Sequence, residues 1–470
     1  MRWLYGHFLP DYLRMKQYPI ITLCLVCFLC SYGQDKSQIS VSNRTYFSKN
    51  EILPFWFTSN QAGKIVPDGT VLSVFDFAIN SNANDSTKEI DFLWGFNFVS
   101  GISNSNYFQI NQGFAGLLWK GWELKTGLIP VQTNYSGLST ANGNIIHSNN
   151  ARPYPEISVS TRGFKRFPIF PDYISYSARY SEGILIDERY VDNARLHHKS
   201  FYLMFHISPV WDVEAGLEHK VLWGGLSPTF GELPGGIKDY WRYVLGTSGN
   251  EIFPETDQRN VAGNQLGSYQ FKVTRKLPQL DLIFFVSHPF EEKSGLKWRN
   301  WPDNLLGLHL KFKNLNQIVT GLVYEFNNTR HQSIQGKADD PDPGNYFRHG
   351  IYRSSFTYHQ RMMGSPLFFP MIFDTENAIG LQSNRFYAHH LGMQGTIPGN
   401  FRWKTMTTYI KHLGLFTTPF ENPHQQISGL LELNYFEVKY NFEFGLSAAT
   451  DIGNSIDQIS GFQVMVKRYF

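Results

Sequence analysis

The sequence predicts an all-β fold, an antiparallel transmembrane β-barrel of about 18 strands with long outer loops, for three reasons. First, apolar and polar residues alternate with a period of two over segments of about ten residues, the length that a tilted strand needs to cross the hydrocarbon of a bilayer. Second, tight turns alternate with long loops along the chain. Third, no apolar run beyond the N-terminal segment reaches the roughly 18 residues of a membrane-spanning helix.

The composition agrees with such a barrel. Of 470 residues, 16% are aromatic and 17% are charged, whereas ordinary globular proteins carry roughly 25% charged residues. The many rings therefore need either a large core or a lipid-facing band with aromatic girdles. The formal net charge is only +3, and no basic run suits a phosphate backbone, so we expect no nucleic-acid partner.

The N-terminal residues have the pattern of a secretory signal peptide. Lys16 precedes the apolar run Ile20–Cys30, which is too short to span a bilayer and is followed by small and polar residues. We predict a signal peptide over residues 1–33, and a start at Met15 would make residues 1–14 an extension. A buried core helix is the alternative. Residues 34–70 are predicted to form an N-terminal periplasmic segment, and residues 71–470 the outer-membrane barrel.

All three cysteines lie inside this apolar run, at Cys24, Cys27 and Cys30. Their spacing is compatible with a metal site, but the residues between them are apolar and offer no polar partners. Cleavage of the signal peptide would leave the mature chain without cysteine. We therefore predict no metal and no cofactor for the mature protein.

One hairpin shows the alternation clearly. In Leu305–Asn314, apolar side chains at the even positions share one face, and glycine, histidine and lysines share the other. Ile318–Phe326 alternates in the same way after a turn. Further strands are predicted at Val71–Asn80, Phe92–Gly101, Tyr107–Trp119, Trp122–Ile129, Ile157–Gly163, Tyr173–Gly183, Phe201–Ile207, Val213–Val221, Tyr269–Arg275, Leu282–Ser287, Ile351–Tyr358, Phe386–Gln394, Phe401–Ile410, Ser428–Tyr435, Val438–Leu446 and Phe462–Val466.

The predicted connections fall into two groups, as at the periplasmic and outer ends of a barrel. The tight group is Lys120-Gly121, Ser208–Asp212, Lys276–Gln279 and Asn314–Gln317. The long group is Pro130–Glu156, Leu222–Ser268, His288–Asn304, Asn327–Gly350 and Gly364–Arg385. Charged residues on the polar strand faces are predicted to line the lumen; they are Glu123, Lys125, Lys311, Glu325, Lys439 and Glu443.

The chain stops at the end of a predicted strand with Phe470. A terminal aromatic after alternating apolar residues resembles the signal by which barrel-insertion machinery recognises its substrates, and we predict that machinery as a partner. Arg468 departs from the pattern, because an apolar or aromatic residue is usual there, and Tyr469 offers a ring from the neighbouring position.

Between about residues 50 and 370 the chain resembles the Wzi family of capsule assembly proteins, in its Bacteroidetes form. The matching segments occur in order. They are Leu53–Trp56 with Ser59–Gly63, Asn149–Pro155, Leu196–Lys199, Gly216–His219 with Trp223–Gly225, Gly263–Gly267, Phe290–Glu292 with Ser294–Leu296, Asn345–Phe347 with Gly350–Ser354, and Gly364–Leu367.

The resemblance implies an 18-stranded outer-membrane barrel of a Gram-negative bacterium. It also implies a non-enzymatic role, the binding or organisation of capsular or other surface polysaccharide at the cell surface. Outer-membrane lipid and the polysaccharide are then the expected partners. The family has a small periplasmic helical element, and residues 46–66 are the expected part of it here, although Pro54 and Gly63 limit any helix there.

Glycan binding needs aromatic faces for sugar rings and forked polar groups for hydroxyls and carboxylates. Two loop segments carry such residues and are predicted to contact polysaccharide at the outer mouth. The candidate residues are Trp223, Trp241, Arg242, Trp298, Arg299 and Trp301. The alternative is that these rings hold the loops together or belong to the membrane girdle.

Other functions find less support in the sequence. A barrel hydrolase would need a converging nucleophile and base, but no Gly-x-Ser-x-Gly motif occurs, and adjacent residues of a strand, such as His197-His198 and His389-His390, face opposite sides. The acidic loop Asp339–Asn345 is oxygen-rich but lacks the spacing of a calcium loop. A porin or substrate-specific channel remains the alternative function, and a soluble β-rich protein the alternative fold.

Overall fold

In a computed structural model the described residues are 37–49, 51–81, 90–291, 293–332, 345–368, 371–372 and 380–470. Several predictions from the sequence fall outside them. These are the signal peptide over residues 1–33 with its alternative start, the cysteines Cys24, Cys27 and Cys30, and the three carboxylates of the acidic loop, Asp339, Asp340 and Asp342.

Eighteen strands form one closed antiparallel barrel, which confirms the predicted fold class. Each strand pairs with the next one along the chain, and the last pairs with the first. The strands are β1 (Ser37–Ser48), β2 (Val71–Ser81), β3 (Ile90–Ile102), β4 (Tyr107–Trp119), β5 (Trp122–Leu128), β6 (Pro155–Thr161), β7 (Ile174–Ile184), β8 (Arg195–Ser208), β9 (Trp211–Trp223), β10 (Asn264–Lys276), β11 (Leu280–Phe290), β12 (Asn304–Phe312), β13 (Gly321–Asn328), β14 (Phe386–Ile397), β15 (Phe401–Gly414), β16 (Pro419–Glu437), β17 (Phe442–Gly453) and β18 (Ile459–Tyr469).

The remaining elements are short and lie in the connections. Helices are α1 (Phe55–Thr58), α2 (Ile237–Leu245), α3 (Glu255–Arg259) and α4 (Lys293–Leu296), with a 3₁₀ turn at Tyr135–Gly137. Two-residue strands are Lys165–Arg166, which pairs with β7, Leu226–Ser227 with Gly231–Glu232, Thr357–Tyr358 with Arg361–Met362, and Met371–Ile372 with Gly380–Leu381. Among the described residues no helix is long and apolar enough to cross a membrane.

The two ends of the barrel have different connections. β1 begins and β18 finishes at one end, which we call the inner end, where Ser40 lies opposite Tyr469. Most described turns at the inner end are short, such as Lys120-Gly121 between β4 and β5, and residues 162–173 between β6 and β7 are longer. The opposite, outer end carries long loops, which are residues 129–154, 224–263 and 329–385. The predicted alternation of tight and long connections is therefore confirmed.

The alternation along each strand separates the lipid-facing surface from the lumen. On β18 the side chains of Phe462, Val464 and Val466 are exposed on the outside, whereas Gln463 and Met465 between them are buried on the inside. Transfer of these outward-facing side chains from water to hydrocarbon stabilises the inserted barrel by roughly 1.5–3 kcal/mol for each large apolar group. Arg468 faces outward at the inner end, where its guanidinium lies 4.5 Å from the ring of Phe470.

The predicted start of the barrel at residue 71 is wrong, because Ser37–Ser48 is a barrel strand. β1 pairs with both β2 and β18 and closes the barrel. Its outward face carries Asn43 and Thr45, which bond to each other at 3.2 Å instead of presenting apolar groups. The period-two pattern is therefore weak there. Residues 51–70, predicted as periplasmic, follow β1 at the outer end.

Two other strand predictions are wrong. Ile351–Tyr358 is part of an outer loop that packs inside the barrel. Its residues are apolar because they are buried in a core, and not because they form one face of a strand. The strand predicted from Val438 starts at Phe442, because the Glu437 carboxylate accepts the backbone N–H of Lys439 at 3.0 Å and forms a turn. Lys439 consequently lies in that turn and not on a lumen-facing strand.

Candidate functional site: the plugged lumen and the outer rim

Three segments from the outer end fold into the lumen: residues 51–70, 129–154 and 345–368. We call them together the plug. They bond to one another, since Ala62 N donates to Asn149 O at 2.8 Å and Ser148 Oγ donates to Gly364 O at 2.6 Å. Their apolar side chains supply much of the buried core of the molecule, including Trp56, Phe57, Ile145, Ile146, Phe347, Phe356 and Phe368.

A carboxylate of the barrel wall anchors the plug. Glu325 of β13 is fully buried and accepts hydrogen bonds from Thr140 N at 2.8 Å and from the hydroxyls of Ser139 and Thr140, each at 2.5 Å. On the next strand, the ring of His390 lies 2.7 Å from Leu138 O, so its Nε2–H donates to that carbonyl. The prediction that Glu325 faces the lumen is correct, but the residue contacts protein instead of water.

A lysine of β9, four strands away in the wall, holds the same loop. Lys220 Nζ donates to Ile146 O at 3.0 Å and lies 2.9 Å from His147 Nδ1. Burial, and then the positive charge of Lys220, lowers the pKa of His147 well below its ordinary value. The imidazole is therefore neutral, and its Nδ1 accepts the hydrogen bond from the ammonium group.

Below the plug the lumen keeps two polar cavities, of about 630 and 600 Å³. Charged side chains of the wall line them, among them the ion pair between Lys125 Nζ and Glu123 Oε2 at 2.6 Å. Lys272 and Glu214 form another such pair at 2.5 Å. Charged residues that the sequence assigned to the lumen thus face these cavities, whereas the outer half of the lumen is filled by the plug.

The histidine pairs are divided by the wall, as the sequence predicted. His390 is buried in the lumen, while His389 faces outward and its Nδ1 lies 2.9 Å from the Tyr324 hydroxyl. His198 likewise faces inward and His197 outward. In the part of the chain that the structure describes, no group of three or more His, Cys, Asp or Glu side chains could hold a metal ion.

The loop that connects β9 to β10, residues 224–263, folds back over the outside of the barrel wall. Trp223, predicted to touch polysaccharide, is buried beneath it, with the rings of Tyr240 and Tyr243 at 5.1 and 5.6 Å. Trp241 is 51% exposed on helix α2. Arg242 Nη1 donates to Ser248 O at 3.0 Å within the same loop.

The second group of predicted residues lies in the β11–β12 loop, also against the outside of the wall. Trp298 stacks on His288 and Tyr269, with ring centroids 4.2 and 5.2 Å away. Trp301 lies 6.2 Å from Trp298 and is 56% exposed. Arg299 between them is exposed. The structure therefore brings Trp298, Arg299 and Trp301 together, and places Trp223 and Trp241 in a different loop.

The outer mouth carries a set of arginines that the sequence analysis did not single out. We call Arg330, Arg348, Arg353 and Arg385 the arginine rim. Three of them lie over aromatic rings, Arg330 over Tyr387 at 5.1 Å, Arg353 over Tyr190 at 4.6 Å and Arg385 over Phe416 at 3.8 Å. Arg348 Nη1 donates to Thr417 Oγ1 at 3.2 Å.

The arginine rim is partly exposed and basic. Burial, and to a smaller extent the positive charge of Arg330, lowers the pKa of Arg385, while buried Asp303 opposes this effect. No ion pair joins the four guanidinium groups to a carboxylate of the described residues. Their free N–H groups are thus available to an anionic or hydroxyl-rich ligand. No short motif connects them, because they meet only across loops of the folded barrel.

The model of one protein family, capsule assembly protein Wzi, matches residues 31–368. Among solved structures the chain is similar to Escherichia coli Wzi, described as an outer-membrane protein involved in group 1 capsule assembly and as a carbohydrate-binding β-barrel, with 14% identity, a TM-score of 0.60, and coverage of 96% of this chain and 89% of that one. This likeness supports the fold.

Weaker similarities connect the chain to Pseudomonas aeruginosa OccK5 (OpdH), with 11% identity, a TM-score of 0.47, and coverage of 93% of this chain and 98% of that one. P. aeruginosa OccK3 (OpdO) has the same identity and TM-score and coverage of 94% and 99%. These two alignments are too weak to carry an argument about function. No curated protein matches the chain.

Proposed function

Because the chain belongs to the Wzi family of capsule assembly proteins, we propose that it binds capsular or other surface polysaccharide at the outer mouth of its barrel and organises the polymer there. The protein is an outer-membrane barrel of a Gram-negative bacterium. The observation that carries the proposal is a lumen occupied by the plug beneath a partly exposed arginine rim. An occupied lumen suits a surface-binding protein better than a porin.

The chemistry of the rim favours an acidic polymer. A guanidinium group presents a planar fork of donors that pairs with a carboxylate through two parallel hydrogen bonds. The rings beside Arg330, Arg353 and Arg385 hold the forks in place by cation–π contact. The same rings offer apolar faces to sugars. We therefore infer that uronic-acid or otherwise anionic sugars are bound better than neutral ones.

The β11–β12 loop is the second proposed contact. Trp298, Arg299 and Trp301 combine two part-exposed rings with an exposed guanidinium group, the pattern expected of a glycan-binding loop. We propose Trp241 and Arg242 as contacts on the same ground. Trp223 is itself buried and would act by holding its loop in place.

Substitution of Arg330, Arg348 and Arg385 together by glutamine tests the rim. Loss of three charge-assisted contacts is expected to weaken retention of an acidic polysaccharide by about a thousandfold, at about 1.5 kcal/mol for each contact. Purified protein in detergent and immobilised polymer give the measurement. The matched control is Arg402→Gln, because Arg402 lies over Phe436 at the inner end. Equal retention by the folded triple variant and the control would contradict the proposal.

A separate variant tests the aromatic loop. Replacement of Trp298, Arg299 and Trp301 by alanine should lower polymer retention on cells about tenfold if their faces contact sugar. Trp119→Ala, which removes a half-exposed ring from the inner end of β4, is the control. Unchanged retention with normal folding would assign these rings to loop packing or to the membrane girdle.

We further propose that the protein is non-catalytic and does not conduct. Purified barrel in a planar bilayer should show little conductance, whereas steady open channels would favour the porin alternative. The C-terminal strand is proposed to engage the barrel-insertion machinery through Phe470, whose backbone N–H donates to Ile39 O at 3.0 Å in the closed barrel. Phe470→Ala should then slow insertion without loss of polymer binding by protein that has inserted.

A further inference from the structure

The wall beneath helix α2 is polar on its outward side. Glu182, Lys199 and Gln265 face outward near the outer end of β7, β8 and β10. Helix α2 and its loop cover them: the Tyr240 hydroxyl donates to Glu182 Oε1 at 2.6 Å, Lys199 Nζ donates to Val244 O, and Gln265 Nε2 donates to Tyr243 O at 3.1 Å. Helix α2 therefore lies outside the barrel wall, near the end that carries the long loops.

Helix α2 has three different faces. Tyr243 and Val244 are buried against the wall. Beside them, Ile237, Trp241 and Leu245 recur every four residues and so form one stripe, with exposed fractions of 74%, 51% and 69%. Lys238 and Arg242 flank the stripe on the side away from Val244, and Asp239 follows them around the helix. An amphipathic helix with an apolar stripe next to a protein surface and a basic side towards water is typical of a membrane interface.

A cleft of about 630 Å³ separates this helix from the neighbouring wall. Outward-facing Ile157 and Ile184 line one side, and Ile237 and Tyr240 line the other. Ile157 is 59% exposed on the lipid-facing surface of β6, so the cleft is continuous with the apolar band of the barrel. Its apolar lining suits a hydrocarbon chain, since each buried methylene group is stabilised by removal from water.

A cation lies at the edge of the cleft. Arg195 lines it, and the Arg195 guanidinium stacks on the ring of Trp223 at 4.7 Å. Among the described residues no carboxylate pairs with Arg195. A phosphate group is the anion that best matches an unpaired guanidinium fork beside an acyl-chain site.

We propose that this cleft binds one acyl chain of the lipid A part of lipopolysaccharide, the phosphorylated lipid of the outer leaflet, with Arg195 on its phosphate and the Ile237, Trp241 and Leu245 stripe inserted among neighbouring chains. The cation at the edge of the cleft and the continuity of the cleft with the lipid-facing band select this occupant. Glu182, the outward-facing carboxylate of the lining, is already bonded to Tyr240 and His197. The site is separate from the arginine rim and does not depend on polysaccharide binding.

Native mass spectrometry of the detergent-purified full chain tests the site, with added lipid A or phosphatidylethanolamine as the probe. The folded wild type should retain lipid A through the spectrometer and retain phosphatidylethanolamine weakly. Ile184→Trp fills the cleft and should lower lipid A retention about tenfold, whereas Ile184→Val leaves the cleft open and should retain it. Arg195→Gln should lower lipid A retention by a similar factor, because one charge-assisted contact is lost. Arg195→Lys keeps the charge and should lower lipid A retention less.

Heat-modifiable migration on gels identifies barrels that have folded. Loss of the lipid A adduct is therefore counted only for variants that migrate as folded barrels. Equal retention of both lipids, or a lipid A adduct that Ile184→Trp leaves unchanged, would overturn the proposal. If Ile184→Trp does not fold, a photo-crosslinking residue at position 241 gives the second measurement. Crosslinks to lipopolysaccharide in intact cells support the site, and their absence overturns it.

Discussion

The β5–β6 loop, residues 129–154, and the β9–β10 loop, residues 224–263, start from the same end of the barrel and fold to opposite sides of its wall. The first enters the lumen and meets Glu325 and Lys220. The second turns outward and meets Lys199 and Gln265. In both cases a polar wall residue that would otherwise be left without partners donates to or accepts from the backbone of the loop.

Each loop thus lies on the side where the wall offers it polar partners. A buried polar group without a partner costs roughly 1–3 kcal/mol, and a charged one more. Polar residues at inward positions of β9 and β13 thus draw a loop into the lumen, and those at outward positions of β8 and β10 draw one over the outer surface. The apolar rings of each loop then add packing around these anchors.

The inner anchor gives the largest expected effect. Glu325→Leu removes a carboxylate that accepts from Ser139 and Thr140 and leaves those buried donors unsatisfied. We expect the plug to lose about 3–5 kcal/mol of local stability, so that amide hydrogen exchange across Leu138–Ile146 accelerates at least about a hundredfold. Conductance in a bilayer should rise with it.

The control for this prediction is Glu432→Leu, which removes a lumen-facing carboxylate paired with Lys404 at 2.6 Å on the neighbouring strand. It should leave exchange in the plug unchanged. If both variants accelerate exchange equally, the plug depends on the charge of the whole lumen and not on Glu325.

The outer loop should respond to pH through Asp257. This buried carboxylate accepts the backbone N–H of Gly263 at 2.8 Å, and burial raises its pKa to about 6. Because the folded pKa lies above the ordinary value, the docked loop is most stable below about pH 4 and loses stability as the pH rises through about 6, by up to about 2–3 kcal/mol. Proteolysis of residues 224–263 should therefore be faster at pH 7.5 than at pH 5. In Asp257→Asn the rate should no longer change with pH.

Gln265→Leu weakens the outer loop alone. Gln265 Nε2 donates to Tyr243 O and, at 2.6 Å, to Ala262 O, and the substitution leaves both carbonyls without that donor. We expect about 1–2 kcal/mol of loop destabilisation, measured as roughly tenfold faster hydrogen exchange in residues 237–262, with the plug unaffected. Gln425→Leu at the outer end of β16 is the control. Faster exchange in the plug as well would mean that the two regions are not independent.

The smallest effect concerns the residue that joins the two regions. Tyr190 lies under Arg353 of the plug, and its hydroxyl is 2.6 Å from Thr229 Oγ1 of the outer loop. Tyr190→Phe keeps the ring and removes the hydrogen bond, so we expect the docked outer loop to lose about 0.5–1 kcal/mol of stability. A double-mutant cycle with Gln265→Leu measures whether this contact transmits the loosening of the outer loop to the plug.

The barrel itself was predictable from the sequence because one face of each strand meets hydrocarbon, which imposes a strict period of two. The prediction failed at Ser37–Ser48, whose outward Asn43 and Thr45 satisfy each other and break that period. It failed again at Ile351–Tyr358, where apolar residues pack in a lumen core. The prediction missed the strand Ser37–Ser48 and included Ile351–Tyr358, which is not a strand. The predicted total of about 18 agrees with the structure because these two errors cancel.

The candidate site was less predictable, because it depends on contacts between distant segments. Ser139 meets Glu325 across 186 positions of the chain, and no local pattern encodes that contact. Alternation places Trp223 on the outward face, but only the folded structure shows that a loop returns to bury it. Arg330 and Arg385 of the arginine rim stand at the two ends of one long loop and approach each other through barrel geometry.

The pairing of β1 with β18 has a consequence for the route by which the molecule assembles. Thr45 and Val464 are neighbours in the closed sheet, and contacts of such large sequence separation form late because of the entropy lost in closing the chain. Residues 51–70 follow β1 directly and lie inside the lumen, where the Phe55 backbone N–H donates to Asp451 at 2.7 Å. The seam between the first and last strands therefore closes around this segment, so we expect folding of the plug and sealing of the wall to be one cooperative step.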